Sequence, residues 1–240
     1  MVIIMFEIFS FTHILLLLLI PVVIYLGYLL KNAKHYKQLL FGLSLLLFIM
    51  EVWKQYYHYY ILDDWSVWIF PFQLCSIPLY IWLFYPLFDT KGFKGIETFL
   101  IDYTLLGALF ALGYPEDMIK VQLVLTIHSF LWHYLLILIS SLIYFSDHGD
   151  LTFKGYLHGS IFFYLCSMIA TVFNVLLAKY GTISMFYINP YKISTQPVFH
   201  DIGVKLGVLP QNIIYLLAIS IGALFIHIIL TKIKKGSRSF

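Results

Sequence analysis

Long apolar runs constrain this chain more than any other feature of its sequence. Seven runs recur, each bounded by charged or turn-forming residues. A helix needs about 20 apolar residues to cross the hydrocarbon core of a bilayer. With 61% hydrophobic and only 11% charged residues, the composition is not that of a soluble domain. We therefore predict an all-α, polytopic integral membrane protein, a single domain over 1–240, with seven transmembrane helices at about 9–30, 38–55, 67–88, 96–113, 120–145, 155–178 and 210–231.

The distribution of lysines predicts the orientation, because cytoplasmic loops retain Lys and Arg. Alternate loops and the C-terminal tail carry Lys31, Lys34, Lys37, Lys91, Lys94, Lys154, Lys232, Lys234 and Lys235. The opposite loops carry Asp63, Asp64, Glu116, Asp117 and Asp201. We predict a multi-pass protein of the cell membrane with its N-terminus outside and its C-terminus cytoplasmic. The lysines lie at helix ends, so the net charge of +3 indicates contact with the lipid bilayer and no nucleic-acid partner.

One connection, residues 179–209, is much longer than the others and contains several Gly and Pro residues. These residues argue against a continuous helix. The sequence leaves three interpretations open: a lid, a re-entrant segment or a surface loop.

Cys75 is a candidate nucleophile at the start of the third predicted helix. Pro71 suits the first turn of a helix, which would place the thiol near the helix N-terminus. Gln73 and Ser76 make this helix start unusually polar. Since a buried thiol needs a base to take its proton, an imidazole nearby would favour a reactive Cys75. Cys166 lies mid-span among apolar residues, where an inert packing role is expected.

Two histidines of the fifth predicted helix, His128 and His133, are candidate bases. Five residues of helix separate them by about 140° around the axis, so we expect only one to face a given site. Depth along the helix favours His128, because Cys75 lies near the outer surface. His13 and His227 are expected to be hydrogen-bonded interior histidines.

Ionisable residues at membrane depth are costly and therefore need partners or roles. Asp102 lies near the middle of the fourth predicted span and is a candidate histidine orienter or hydrogen-bonding hub. Glu51 and Lys54 are spaced to form an i, i+3 ion pair near the outer end of the second span.

Several short motifs follow one another along the chain: PFQLCSIP at 71–78, Gly107-Ala108, Tyr114-Pro115-Glu116-Asp117, Phe130-Leu131-Trp132-His133, Asn174, Tyr180-Gly181-Thr182 and Asn189-Pro190. In this order they resemble the YwaF-like integral membrane proteins of bacteria, which are related to the eukaryotic transmembrane protein 164 acyltransferases. The tyrosine-rich strip that follows Gly-Thr in the family is replaced here by Ile-Ser-Met-Phe-Tyr at 183–187.

The resemblance implies a seven-helix fold in which a cysteine nucleophile and a histidine partner act on lipid acyl chains. Carried over by position, the nucleophile is Cys75 and the partner is His133. The expected chemistry is transfer of an acyl group from a phospholipid to a lysophospholipid through an acyl-thioester, with neither cofactor nor metal. Backbone N–H groups around Ser76 are the expected oxyanion donors.

Other functions remain open at this point. A transporter or lipid-binding membrane protein would use Asp102, Glu51 and the histidines as a polar path and would not need Cys75. A non-catalytic scaffold is also compatible with the composition. A zinc hydrolase would draw ligands from the histidines and Asp102, although no H-x-x-x-H spacing supports it.

Overall fold

The computed structural model describes residues 7–81 and 90–237, and this part of the chain consists of helices and loops, with no strand. Six helices are long and apolar enough to cross a membrane: α1 Phe11–Asn32, α2 Tyr36–Ile61, α3 Phe93–Gly113, α4 Leu123–Phe145, α5 Phe153–Tyr180 and α6 Val208–Gly236. They match six of the seven predicted spans. The chain is therefore a multi-pass membrane protein with an all-α fold.

The third predicted span, 67–88, is not among these helices. Its described residues form two short 3-10 helices, Val67–Ile69 and Leu74–Tyr80, and its last residues, 82–88, lie outside the described part. The helix begins at Leu74, so the expectation that Pro71 occupies a first helical turn is wrong. Pro78 lies inside the second 3-10 helix. Because proline has no N–H to donate, a regular α-helix is disfavoured at this position.

The bundle core forms where α3 packs between α4, α5 and α6. A wide π-helical turn, Leu100–Thr104, interrupts α3 and is buried at every position. Within the core the rings of Tyr103 and Phe163 stack at 4.6 Å, and the Tyr103 hydroxyl donates to the Ser160 hydroxyl at 2.8 Å. α1 packs mainly against α4. The outward faces of α1 and α6 expose large aliphatic side chains, as expected of helix faces in contact with lipid.

The two ends of the bundle differ. We call the end that carries the connection 179–209 the loop end, and the end that carries the last residues of α6 the tail end. At the loop end, His13 at the start of α1 bonds the Leu112 carbonyl at the end of α3, at 2.8 Å. At the tail end, Lys234 of α6 contacts Asp147 beyond the end of α4, at 2.9 Å. Residues 7 and 237 thus lie towards opposite ends. The lysine distribution predicts that the tail end faces the cytoplasm, and this orientation stays a prediction.

The long connection after α5 is an ordered cover over the loop end. Asn174 of α5 holds it through two hydrogen bonds to one residue, donating to the Met185 carbonyl at 3.0 Å and accepting from its N–H at 2.6 Å. Further on, the Ser194 N–H donates to Gln211 of α6 at 2.9 Å. The connection ends in the short helix Phe199–Leu206. The connection packs against the bundle, and the three interpretations made from the sequence stay predictions.

Candidate functional site

A cavity of about 1350 Å³ lies under this cover at the loop end of the bundle. Its walls come from α2, α3, α4 and α6, from the 3-10 helix Leu74–Tyr80, and from the cover itself. A volume of this size exceeds the usual range for small-molecule pockets, roughly 300–1,000 Å³. It is therefore large enough for a ligand of lipid size.

Cys75 lies on the cavity wall as the second residue of its 3-10 helix and is half-buried. Two hydrogen bonds fix this segment: Trp132 of α4 donates its indole N–H to the Cys75 carbonyl at 3.0 Å, and Gln73 donates to the Ser184 carbonyl of the cover at 3.0 Å. The nucleophile candidate is thus tied to both α4 and the cover. Cys166 is buried in α5 and does not line the cavity.

His128 and His133 both line the same cavity. The expectation that only one of these histidines could face a given site is wrong. The cavity is wide enough to contact both positions of α4, although they are separated around the helix axis. Sequence reasoning considered the angle around the helix but had no information on the width of the space beside it.

The hydrogen bonds of the two imidazoles leave a different nitrogen available on each. His133 Nδ1 lies 2.7 Å from the Ser129 carbonyl, and His128 Nε2 lies 3.1 Å from the Met50 carbonyl. A carbonyl oxygen only accepts, so each of these nitrogens carries the proton. The neutral ring then has an unprotonated Nε2 in His133 and an unprotonated Nδ1 in His128. The His128 ring is also held between two indoles, with centroids 5.6 Å from Trp53 and 5.8 Å from Trp132.

Asp102, the fourth predicted site residue, does not line the cavity. It is fully buried in the π-helical turn of α3, where its Oδ2 lies 2.8 Å from Nδ1 of His227. Nε2 of His227 bonds the Thr152 carbonyl at 3.1 Å. Asp102 therefore contacts a histidine, as one interpretation expected, but this histidine does not line the cavity either. Cys75, His128 and His133 line the same cavity, whereas Asp102 does not.

Charged side chains also line the cavity. Glu51 and Lys54 form the predicted i, i+3 ion pair at 2.8 Å, and Gln55 also donates to Glu51, at 2.6 Å. Lys120 lines the cavity and forms no ion pair with the described residues. Desolvation by surrounding protein atoms, opposed by Asp117 and reinforced by Lys54, lowers the pKa of Lys120. The cavity lining thus combines charged side chains with apolar ones.

Sequence reasoning missed two residues that shape this site. Trp132 was noted only as part of the Phe130–His133 motif, and Ser129 was not considered. The sequence held a usable signal for Ser129. It lies four residues before His133, and on a helix this spacing places the Ser129 carbonyl beside the His133 side chain. Among the described residues, no three His, Cys, Asp or Glu side chains are arranged to hold a metal ion.

A model of the TMEM164 family matches residues 7–231. The chain therefore belongs to the TMEM164 family, which confirms the predicted relation to the transmembrane protein 164 proteins; the link to the bacterial YwaF-like proteins stays a prediction. Comparisons with curated proteins and with solved structures found no match.

Proposed function

We propose that this member of the TMEM164 family is a lipid acyltransferase that carries an acyl group on Cys75. One observation supports the proposal most strongly. The Cys75 thiol and an imidazole with an unprotonated nitrogen, that of His133, belong to the wall of one lipid-sized cavity. A thiol becomes a strong nucleophile once a neighbouring base takes its proton.

In the first half-reaction, Nε2 of His133 takes the thiol proton and Sγ of Cys75 attacks the ester carbonyl of a phospholipid. The tetrahedral intermediate collapses with cleavage of the bond between the carbonyl carbon and the ester oxygen. His133 returns the proton to that oxygen, and a lysophospholipid leaves. The products of this step are an acyl-thioester on Cys75 and a neutral imidazole.

In the second half-reaction, His133 takes the proton of an acceptor lysophospholipid hydroxyl, whose oxygen attacks the thioester. The carbon–sulfur bond breaks and the proton returns to the sulfur of Cys75. No electron is gained or lost in either half, and no cofactor is consumed.

The expected oxyanion donor around Ser76 needs revision. The Ser76 N–H already donates to the Gln73 carbonyl at 2.8 Å. The N–H groups of Leu74 and Cys75 form no hydrogen bond to another described residue, so these two flank the nucleophile and are available. A pair of backbone donors beside the attacking atom is a common way to stabilise a tetrahedral oxyanion. We assign that role to Leu74 and Cys75.

The substrate class is inferred from the mixed lining of the cavity. The charged lining residues suit a phospholipid headgroup, and the apolar lining residues suit an acyl chain. If the loop end faces outward, as the lysine distribution predicts, the substrate comes from the outer leaflet of the cell membrane.

The proposal is tested by measuring acyl transfer from phosphatidylcholine to a labelled lysophospholipid by purified protein in lipid nanodiscs. Cys75→Ala should abolish turnover with little change in melting temperature, because the side chain loses only its sulfur. Cys166→Ala is the matched control and should retain turnover. Full turnover by Cys75→Ala would show that Cys75 does not carry the acyl group. No turnover by the wild-type protein would instead favour the transporter or lipid-binding alternative.

The same assay identifies the base. His133→Ala should slow turnover by roughly 100-fold, a typical loss for a general base. His128→Ala, which removes a histidine with its Nε2 already bonded to α2, should have the smaller effect. The reverse ranking would assign the base to His128.

A further inference from the structure

The cavity reaches the lipid-facing surface of the bundle between α3 and α6. Phe110 of α3 and Ala218 of α6 both line the cavity, and both are exposed on the outside of the helices; Phe110 is 71% exposed. Residues that belong to a cavity wall and to the outer surface at once mark an opening. Both lie inside predicted and observed spanning helices, so the surroundings of the opening are the bilayer.

The packing of the two helices explains where the opening begins and ends. α3 and α6 run antiparallel and are joined by the Asp102–His227 pair, which lies on the tail-end side of Leu106. They still touch at Gly222, where a Cβ would lie only 3.0 Å from Leu106. Towards the loop end the cavity lies between them, with Phe110 and Ala218 on its two sides. The contact of Leu106 with Gly222 therefore forms the floor of the opening.

The depth of this opening matches an acyl chain rather than a headgroup. Ala218 lies ten residues beyond the start of α6, or about 15 Å along the helix, and Gly222 lies about 6 Å further. Both positions fall well inside a hydrocarbon core of about 30 Å. Leu106, Gly107 and Ile219, which line the cavity here, are apolar or lack a side chain.

The opening belongs to the same cavity as the proposed nucleophile, since Phe110, Ala218 and Cys75 all line it. Gly107 of α3 lies beside Leu74, the residue before Cys75, because a Cβ at Gly107 would lie 3.7 Å from the Leu74 side chain. A chain that enters between Phe110 and Ala218 therefore enters the cavity whose wall carries the thiol.

We propose that the gap between α3 and α6, bounded by Phe110 and Ala218 and floored by Leu106 and Gly222, is the lateral entrance through which an acyl chain of a bilayer phospholipid reaches Cys75. This inference rests on the proposed acyltransferase function. It adds a specificity-determining role for the two helix faces: a long chain occupies the gap, whereas a donor with a very short acyl group does not need it.

The experiment compares two acyl donors in a Cys166→Ala background and follows acylation of Cys75 by intact mass. The long donor is phosphatidylcholine in nanodiscs, which releases a lysophospholipid. The short donor is p-nitrophenyl acetate, which releases p-nitrophenol. Both leave a thioester on the same sulfur, and the added mass reports which acyl group was transferred.

Ala218→Trp should fill the entrance and slow acylation by phosphatidylcholine by about 10-fold or more, since displacement of a bound chain prevents a productive approach to the thiol. The rate of acetylation by p-nitrophenyl acetate should change less than about twofold, because the short acetyl group does not need the gap. Leu217→Trp is the matched control: its position is the neighbouring one on α6, is exposed and does not line the cavity. It should leave both rates unchanged. If Ala218→Trp fails to fold, the smaller substitution Ala218→Leu takes its place. It should slow acylation by phosphatidylcholine selectively, but by a smaller factor.

The possible results separate the two proposals. Equal losses with both donors, or no loss with either, would overturn the lateral entrance while leaving the nucleophile in place. Unmodified wild-type protein after exposure to both donors would instead overturn the acyltransferase function on which the entrance rests.

Discussion

One buried side chain, Asn174, holds the cover at Met185, and replacing Asn174 by Ala tests how much this contact stabilises the cover. Asn174 is fully buried, and its amide satisfies both the N–H and the carbonyl of Met185, which is also fully buried. Truncation leaves both groups without their partner. Each unsatisfied buried group costs about 1–3 kcal/mol, so the cover should lose about 2–6 kcal/mol of stability relative to the open state.

Hydrogen exchange measured by mass spectrometry reads this loss directly. At the lower limit of about 2 kcal/mol, amides of residues 181–198 should exchange about 30-fold faster, whereas those of α4 should not. Thr171→Ala, one turn earlier on α5, is the control, because the Thr171 hydroxyl bonds only the Ser167 carbonyl of its own helix. Unchanged exchange in 181–198 for Asn174→Ala, or an equal increase throughout the bundle, would refute the idea that this amide holds the cover.

Three further predictions concern the bundle itself. Asp102→Asn should lower the melting temperature, because weakening its buried hydrogen bond with His227 costs about 1–3 kcal/mol of unfolding free energy. Turnover per folded molecule should stay near wild type, because the side chain is outside the cavity. Gly27→Ala should destabilise by about 1–3 kcal/mol through overpacking, since its Cβ would lie 2.6 Å from a serine Cβ on α4, whereas Gly42→Ala, with nothing within 4 Å, should not. In a cysteine-free background, a cysteine at Asp201 should react with an impermeant thiol reagent from outside and one at Lys34 should not; the opposite pattern would reverse the proposed orientation.

The helices were predictable because hydrocarbon thickness fixes the length of an apolar run that can span it. Six of the seven predicted spans appear with ends displaced by only a few residues. The exception, 67–88, is apolar enough but contains Pro71 and Pro78, which deny donors to an α-helical ladder. Hydropathy measures the cost of exposure to water and carries no information on which helical pitch a buried segment adopts.

The sequence suggested candidate residues for the site but could not give their arrangement. Cys75 and both histidines of α4 were identified because polar, reactive side chains are rare in apolar runs. Their meeting on one cavity wall depends on the packing of α4 against the Cys75 segment through Trp132, a contact between residues far apart in sequence. Asp102 was identified for the same reason as Cys75, but its partner, on α6, could not be read from spacing along one helix.

The cover shows a different limit. Its Gly and Pro residues excluded a continuous helix, but three positions there, Phe186, Tyr187 and Val198, have positive φ angles of 54°, 57° and 68°. Side chains of these types rarely adopt such angles, and local propensity predicts none of them. Tertiary contacts hold this backbone in place, among them the Asn174 bonds to the neighbouring Met185. Two of the three residues, Tyr187 and Val198, line the cavity.

The central claim, that Cys75 carries an acyl group, is tested most directly by the intact mass of the purified protein after incubation with mixed phospholipids. The account predicts a mass increase equal to one acyl group less one hydrogen, located on the peptide that contains Cys75. The adduct should be removed by hydroxylamine and by added lysophospholipid, be absent from Cys75→Ala and persist in Cys166→Ala. A wild-type protein that stays unmodified while it supports acyl transfer, or an adduct that remains in Cys75→Ala, would contradict the account.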